Sequence, residues 1–110
     1  MRLSMENGTE LKDPSPAEID QALRTLNRSE DNSFAILEQA DLTYLQVAQE
    51  DDPDQDAPRL VLEYQDGSMD RHYQAVADSL SLMTVIEIFQ AYAGGDEKWR
   101  SRVQWEPMQV

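Results

Sequence analysis

The chain has 110 residues, with 22 Asp and Glu against 9 Lys and Arg, and carries a formal charge of −13 at neutral pH. Such a polyanion is repelled by nucleic acids and anionic lipid surfaces, so we expect no nucleic-acid partner and no membrane partner. The length suits one domain spanning 1–110, and the absence of cysteine excludes disulfides and thiolate chemistry.

The N-terminal residues 1–13 predict a strand followed by a loop. Leu3 and Met5 alternate with polar residues, which is the period-two pattern of a strand, here expected at a sheet edge. The first ten residues lack the apolar core of a signal peptide, and no stretch has the length of a membrane span. We therefore expect a cytoplasmic protein.

A helix over residues 15–27 is predicted by its start and by its apolar stripe. Ser15 can cap the helix, Pro16 suits its first turn, and Glu18 can reach back to the Ser15 amide. The apolar residues behind them recur at i, i+3, i+4 and i+7, as on one helix face: Ile19, Ala22, Leu23 and Leu26.

Two antiparallel strands follow this helix and are joined by a polar turn near Ala40. The apolar period changes to two on both sides of the turn. Pairing Ile36 with Leu45, and Phe34 with Val47, places four large apolar side chains on one face of the sheet. We expect these four side chains in the core.

The loop 50–58 is the most acidic segment of the chain, because five of the seven residues at 50–56 are Asp or Glu. Like charges repel one another, so a solvated linker without a function of its own is one interpretation. A partner contact and a metal site are the alternatives. The acids are Glu50, Asp51, Asp52, Asp54 and Asp56.

A calcium site in this loop is suggested by spacing alone. Asp52, Asp54 and Asp56 stand at positions 1, 3 and 5 of a calcium-loop pattern, and position 12 is Glu63. Ala57 stands where the sharp turn of such a loop needs glycine, and the flanking segments read as strands. We therefore predict no metal ligands.

The Asp-Gly dipeptide at 66–67 predicts a tight hairpin turn of two residues. This register pairs Tyr64 with Met69 on an apolar face and Glu63 with Asp70 on the other face. Like charges directly opposite each other are mildly destabilising. The two acids either stand in water or belong to an acidic face that meets a cationic partner.

A second helix is predicted from a Ser81 cap to Gly94 and Gly95, which can adopt a left-handed conformation at its C-terminus. Beyond it, Trp99 predicts a short helical turn under the sheet, and 103–105 predicts a last strand. The apolar stripe of the helix comprises Val85, Ile86, Phe89, Tyr92 and Ala93.

The element order β-α-β-β-β-β-α-β predicts an α+β fold. Runs of strands bracketed by helices favour a single antiparallel sheet, here of about five to six strands, with both helices packed on one face. His72, beside Asp70 and Tyr73, could act as a general base, but no nucleophile or cofactor motif accompanies it. We expect a protein that is not an enzyme and binds no cofactor.

These features together resemble small bacterial immunity proteins of polymorphic-toxin systems. The resemblance runs from about Pro14 through the segments SPAEIDQALRTL, SFAILEQ, TYLQVAQ, RLVLEYQDGS and MDRHYQA to LSLMTVIEIFQAYAGGDEKWRSRVQWEPM. In the last segment, an apolar helix ends at glycine and is followed by Asp96, Trp99, Trp105 and Glu106. The resemblance implies a cytosolic domain without catalytic residues that binds a cognate toxin and blocks its active site or substrate access.

Our first hypothesis is therefore an inhibitor of a basic toxin. Residues Glu50, Asp51, Asp52, Asp54 and Asp56 would steer the toxin, and Glu63 and Asp70 would meet its cations. Tyr44, Tyr64 or Tyr73 would be an aromatic anchor if it lies on an uncovered face. The alternative is an acidic structural or adaptor domain that homodimerises through a sheet edge or supports a secretion assembly. A third hypothesis is binding of a small ligand or metal.

Overall fold

Segments of alternating polarity pair into one antiparallel sheet, and two amphipathic helices pack on one of its faces. The computed structural model describes residues 1–51, 58–76 and 80–108. In these ranges the helices are α1 (Pro16–Leu23) and α2 (Leu82–Ala93). The strands are β1 (Arg2–Met5), β2 (Glu10–Lys12), β3 (Phe34–Ala40), β4 (Thr43–Glu50), β5 (Arg59–Asp66), β6 (His72–Val76) and β7 (Gln104–Pro107).

The spatial order of the strands is β2-β1-β3-β4-β5-β6-β7, and all neighbours are antiparallel. The predicted α+β class with a single sheet is confirmed, although the described residues form seven strands and not five to six. The additional strand is β2, which returns along β1 after a turn in which Gly8 has a φ of +95°. Consequently β1 lies between β2 and β3 and is not an edge strand.

Both helices begin as the sequence predicts. The Ser15 hydroxyl accepts a hydrogen bond from the Glu18 amide at 3.1 Å, and the Glu18 carboxylate accepts one from the Ser15 amide at 2.9 Å. The helix α1 ends earlier than expected, because the chain tightens into i to i+3 hydrogen bonds after Leu23. At the end of α2, only Gly95 is left-handed, with a φ of +76°.

The register between β3 and β4 differs by one residue from the prediction. Leu37 pairs with Leu45 and Ala35 pairs with Val47, so Phe34 and Ile36 lie on the opposite face. The first four residues of β3 are all apolar, and hydrophobicity alone therefore does not select a face. A bulge between Glu38 and Ala40 shifts the pairing by one residue, which moves every β3 side chain to the other face.

The pairing of β5 with β6 is shifted by four residues from the predicted pairing, in which Tyr64 would lie opposite Met69. Tyr64 pairs with Tyr73 and Glu63 with Gln74, and the connecting loop spans 67–70. An even shift leaves each residue on its predicted face. Stacking of the Tyr64 and Tyr73 rings, whose centroids are 4.8 Å apart, favours this register over the one imposed by a two-residue turn.

The core lies between the helices and the covered face of the sheet. Phe89 is its largest fully buried side chain. At one end of the sheet, the short 3-10 helix Glu97–Ser101 places Trp99 against Tyr64 and Tyr92. The other buried core residues include Leu3, Ile19, Leu23, Leu37, Leu45, Val47, Leu62, Val85, Ile86 and Ile88.

The β3 register can be tested with two neighbouring substitutions. Leu37→Ala should lower the free energy of unfolding by about 2–4 kcal/mol, because the leucine is fully buried. Ile36→Ala, on the opposite face, should lower it by no more than about 1 kcal/mol. Urea denaturation followed by circular dichroism measures both values. The reverse order would support the register in which Ile36 lies in the core.

Candidate binding surface

The face of the sheet opposite the helices carries the candidate surface. Side chains alternate along each strand, so the residues that flank the core residues in sequence lie on this second face. We call it the open face. Its central residues are Phe34 and Ile36 of β3, Tyr44, Gln46 and Ala48 of β4, Val61, Glu63 and Gln65 of β5, and His72 and Gln74 of β6.

An apolar row crosses the open face near one end of the strands. Phe34 is directly opposite Ala48, and Ala48 is opposite Val61. Ile36, two residues further along β3, extends it. We call these four residues the apolar row, and all four are half-buried. A sheet face that is only solvated is usually polar, so an apolar row is a departure from the expected alternation.

The other end of the open face holds a hydrogen-bonded network centred on His72. Its Nδ1 lies 3.0 Å from Gln65 Oε1, and its Nε2 lies 3.2 Å from Glu63 Oε1. The Gln65 amide nitrogen donates to the Leu42 carbonyl oxygen at 3.3 Å, which orients the amide oxygen toward the imidazole. The Tyr44 hydroxyl donates to the same amide oxygen at 3.5 Å.

This network engages both ring nitrogens of His72. The Gln65 oxygen can only accept, so Nδ1 donates to it. Nε2 faces the Glu63 carboxyl oxygen at 3.2 Å, and both side chains are partly buried. The imidazole is therefore held in place by two side chains of β5.

Tyr44 is the predicted aromatic anchor that the structure places on the open face. Its ring lies 6.1 Å from the His72 ring in an edge-to-face arrangement. Burial, and then the negative charge of Glu63, raise the pKa of Tyr44. The phenol is thus held neutral and keeps the hydrogen that it donates to Gln65 Oε1.

Tyr64 does not lie on an uncovered face, which was the condition for an aromatic anchor. It lies on the covered face, is 9% exposed, and packs against Tyr73, Trp99 and Trp105. Burial raises its pKa, as expected for a phenol inside the core. Tyr73 lies on the same face, since it pairs with Tyr64. Both residues pack on the covered side of the sheet, and neither lies on the open face.

The acids proposed for partner contact are only partly brought together. Glu63 and Asp70 are not opposite each other, because Gln74 occupies that place and Asp70 lies exposed in the loop 67–70. Asp52, Asp54 and Asp56 lie outside the described residues. The other acids have basic partners within the chain: Glu50 with Arg59 at 3.5 Å, Asp51 with Arg28 at 3.2 Å, and Glu63 with His72.

Two exposed apolar residues at the hairpin tips were not identified from the sequence. Leu42, in the turn between β3 and β4, is 49% exposed, and Met69, in the loop 67–70, is 57% exposed. The Gly67 amide donates to the Leu42 carbonyl oxygen at 3.0 Å and thereby ties the two tips together. Leu42 has a φ of +60°, which is uncommon for a residue other than glycine or asparagine.

Clusters of metal-ligand residues and helices able to span a membrane are both absent from the described ranges. Within 1–51, 58–76 and 80–108, no three His, Asp or Glu side chains converge as metal ligands would. Glu63, the twelfth position of the calcium-loop spacing, lies inside β5 and contacts His72. In the same part of the chain, no helix has the length and apolarity to cross a membrane.

No protein-family model, no curated protein and no solved structure matches this chain.

Tyr92 gives a prediction for alkaline pH. Burial and the nearby Asp66 charge raise its pKa to about 12, against about 10 for an unfolded tyrosine. The folded state thus keeps a proton that the unfolded state loses, so this stability is present below pH 10 and is lost as the pH rises toward 12. The loss attributable to Tyr92 should be about 2–3 kcal/mol.

The matched variant is Tyr92→Phe, compared with the wild type by urea denaturation at several pH values. Its free energy of unfolding should fall less steeply above pH 10. The difference between the two proteins isolates Tyr92 from the other ionisable groups, which both proteins share. Identical slopes would contradict the assignment.

Proposed function

We propose that this chain is a non-catalytic immunity-type protein that binds a basic toxin domain and occludes it with the open face of its sheet. The observation that carries this proposal is the apolar row of Phe34, Ile36, Ala48 and Val61, which no element of the described chain covers. A desolvated apolar centre with a polar surround is how protein interfaces obtain affinity. Glu63, Gln65, His72 and Tyr44 supply that polar surround.

The charge of the chain supports a basic partner. A formal charge of −13 steers cationic proteins toward the molecule and raises their association rate at low salt. Asp41, Asp70 and Glu106 are exposed and make no ion pair within the described part of the chain. Asp41 and Asp70 lie beside Leu42 and Met69, so the hairpin tips are both apolar and acidic.

The alternative, self-association through a sheet edge, receives less support from the strands that would have to pair. One edge strand, β2, has only three residues. The other, β7, contains Pro107, which has no amide hydrogen to donate. Short strands and prolines are features by which proteins protect sheet edges from pairing. A different protein is therefore the better-supported partner.

The proposal can be tested with the C-terminal domain of the protein encoded immediately upstream of this chain. Expressed alone, that domain should arrest bacterial growth, and co-expression of this chain should restore growth. The purified pair should bind with an association rate that falls as salt is added. Failure of the two proteins to bind would overturn the proposal.

Substitutions locate the contact. Ile36→Lys and Val61→Lys place a cation in the apolar row and should each weaken binding at least about tenfold, or about 1.4 kcal/mol. Met83→Lys, on the exposed side of α2, is the matched control and should bind as the wild type does. Circular dichroism verifies that each variant is folded. If Ile36→Lys and Val61→Lys both bind with wild-type affinity, the open face is not part of the contact.

Leu42 offers a prediction in which stability and binding change in opposite directions. Leu42→Asn should raise the free energy of unfolding by about 0.5–1 kcal/mol, because asparagine adopts a positive φ at lower cost. The same change removes an exposed apolar contact and should weaken toxin binding several-fold. Met69→Asn, without a positive φ, should leave the free energy of unfolding nearly unchanged. A less stable Leu42→Asn protein would mean that Leu42 is retained for packing.

A further inference from the structure

A small pocket lies at the end of the sheet where α2 terminates, on the side of the hairpin tips. Its volume is about 160 Å³. We call it the end pocket. Its lining includes Thr43, Asp66, Tyr92, Gly95, Glu97 and Arg100.

The end pocket is lined by a buried phenol that lacks a partner. Tyr92 is 6% exposed, and its hydroxyl has no hydrogen-bond partner among the described residues. A buried hydroxyl without a partner has lost its hydrogen bonds to water without replacement, so such groups are usually paired. A polar group from outside the chain would complete the site.

Aromatic rings give the end pocket an affinity for cations. Tyr64 and Trp99 also line it, and the guanidinium carbon of Arg100 lies 5.8 Å and 5.2 Å from their ring centroids. The backbone of Arg100 is held in place by the Trp105 indole, which donates to the Arg100 carbonyl oxygen at 3.0 Å. The chain thus places one of its own cations on these rings, as in a cation–π contact.

Anionic groups at the pocket can stabilise a cation that takes the place of Arg100. Asp66 and Glu97 contribute two carboxylates, and the C-terminal end of α2 adds the partial negative charge of its carbonyl groups. Arg71, the residue that follows the loop 67–70, pairs with Asp66 at 3.0 Å. The ammonium of Met1, which also lines the pocket, is engaged by Asp13 at 2.6 Å. Among the described residues that line the pocket, Arg100 is the remaining cation, and it is exposed.

We propose that the end pocket binds a basic side chain, a guanidinium or an ammonium, presented by the protein partner. The incoming cation replaces Arg100 over Tyr64 and Trp99 and donates a hydrogen bond to the Tyr92 hydroxyl. Glu97 and Asp66 stabilise its charge. The source of the side chain rests on the proposed function, whereas the cation preference rests on the pocket alone. The pocket adjoins the hairpin tips, so one partner can contact both.

The test uses the full chain and Nα-acetyl-arginine amide as the probe, with Nα-acetyl-citrulline amide as its uncharged isostere. Titration is followed by NMR through the indole Nε1–H signals of Trp99 and Trp105. The arginine probe should shift these signals saturably, and the citrulline probe should not. Equal shifts with both probes, or no saturable shift, would overturn the inference.

Three variants distinguish a cation pocket from an anion pocket. Arg100→Gln should tighten binding of the arginine probe by about two- to fivefold, because it removes a competing cation. Glu97→Gln should weaken binding about twofold, and Tyr92→Phe should weaken it several-fold. If Arg100→Gln abolishes binding, or if acetate shifts the indole signals more than the arginine probe does, the pocket recognises anions and the inference fails.

The two proposals fail separately. If the arginine probe binds but the upstream-encoded domain does not, the cation pocket is supported and the proposed toxin partner is contradicted. Binding of that domain with unchanged affinity in the Tyr92→Phe and Glu97→Gln variants would retain the immunity function and exclude the end pocket from the contact.

Discussion

Burial of one face of the sheet beneath two helices is the constraint on which the rest of the molecule depends. A chain of 110 residues has apolar side chains for one core, and α1 and α2 are placed where they cover the same side of the strands. The hydrophobic free energy of folding comes mainly from this layer. The second face of the sheet is therefore released from the demands of folding, and its residues can be selected for contact with another molecule.

The sequence pattern predicts elements and faces better than it predicts registers. The capping residue Ser15 and the helical stripes produce α1 and α2, because caps and periodicity act locally. The faces of β5 and β6 follow from the period of two, which an even shift preserves. The β3 strand is apolar on both faces, so its register depends on a bulge near Glu38 that no local pattern specifies.

The candidate surface was harder to predict than the fold, for physical reasons. The sequence shows the acids Glu50 and Glu63 but not the basic residues beside them. Strand pairing brings Arg59 to Glu50 and His72 to Glu63. The network around His72 needs residues from three strands and one turn. Leu42 gives no sequence signal of its exposure, because an apolar residue next to a strand reads as part of the core.

The hydrogen bonds to the Leu42 carbonyl oxygen bear on how the surface would bind. That oxygen accepts from the Gly67 amide and from the Gln65 side chain, so the tips of two hairpins are held as one unit. Ordering loops at an interface costs conformational entropy, and here folding has already fixed this part of the backbone. An encounter at the tips would therefore meet a preorganised surface, and a larger share of the contact free energy would remain as affinity.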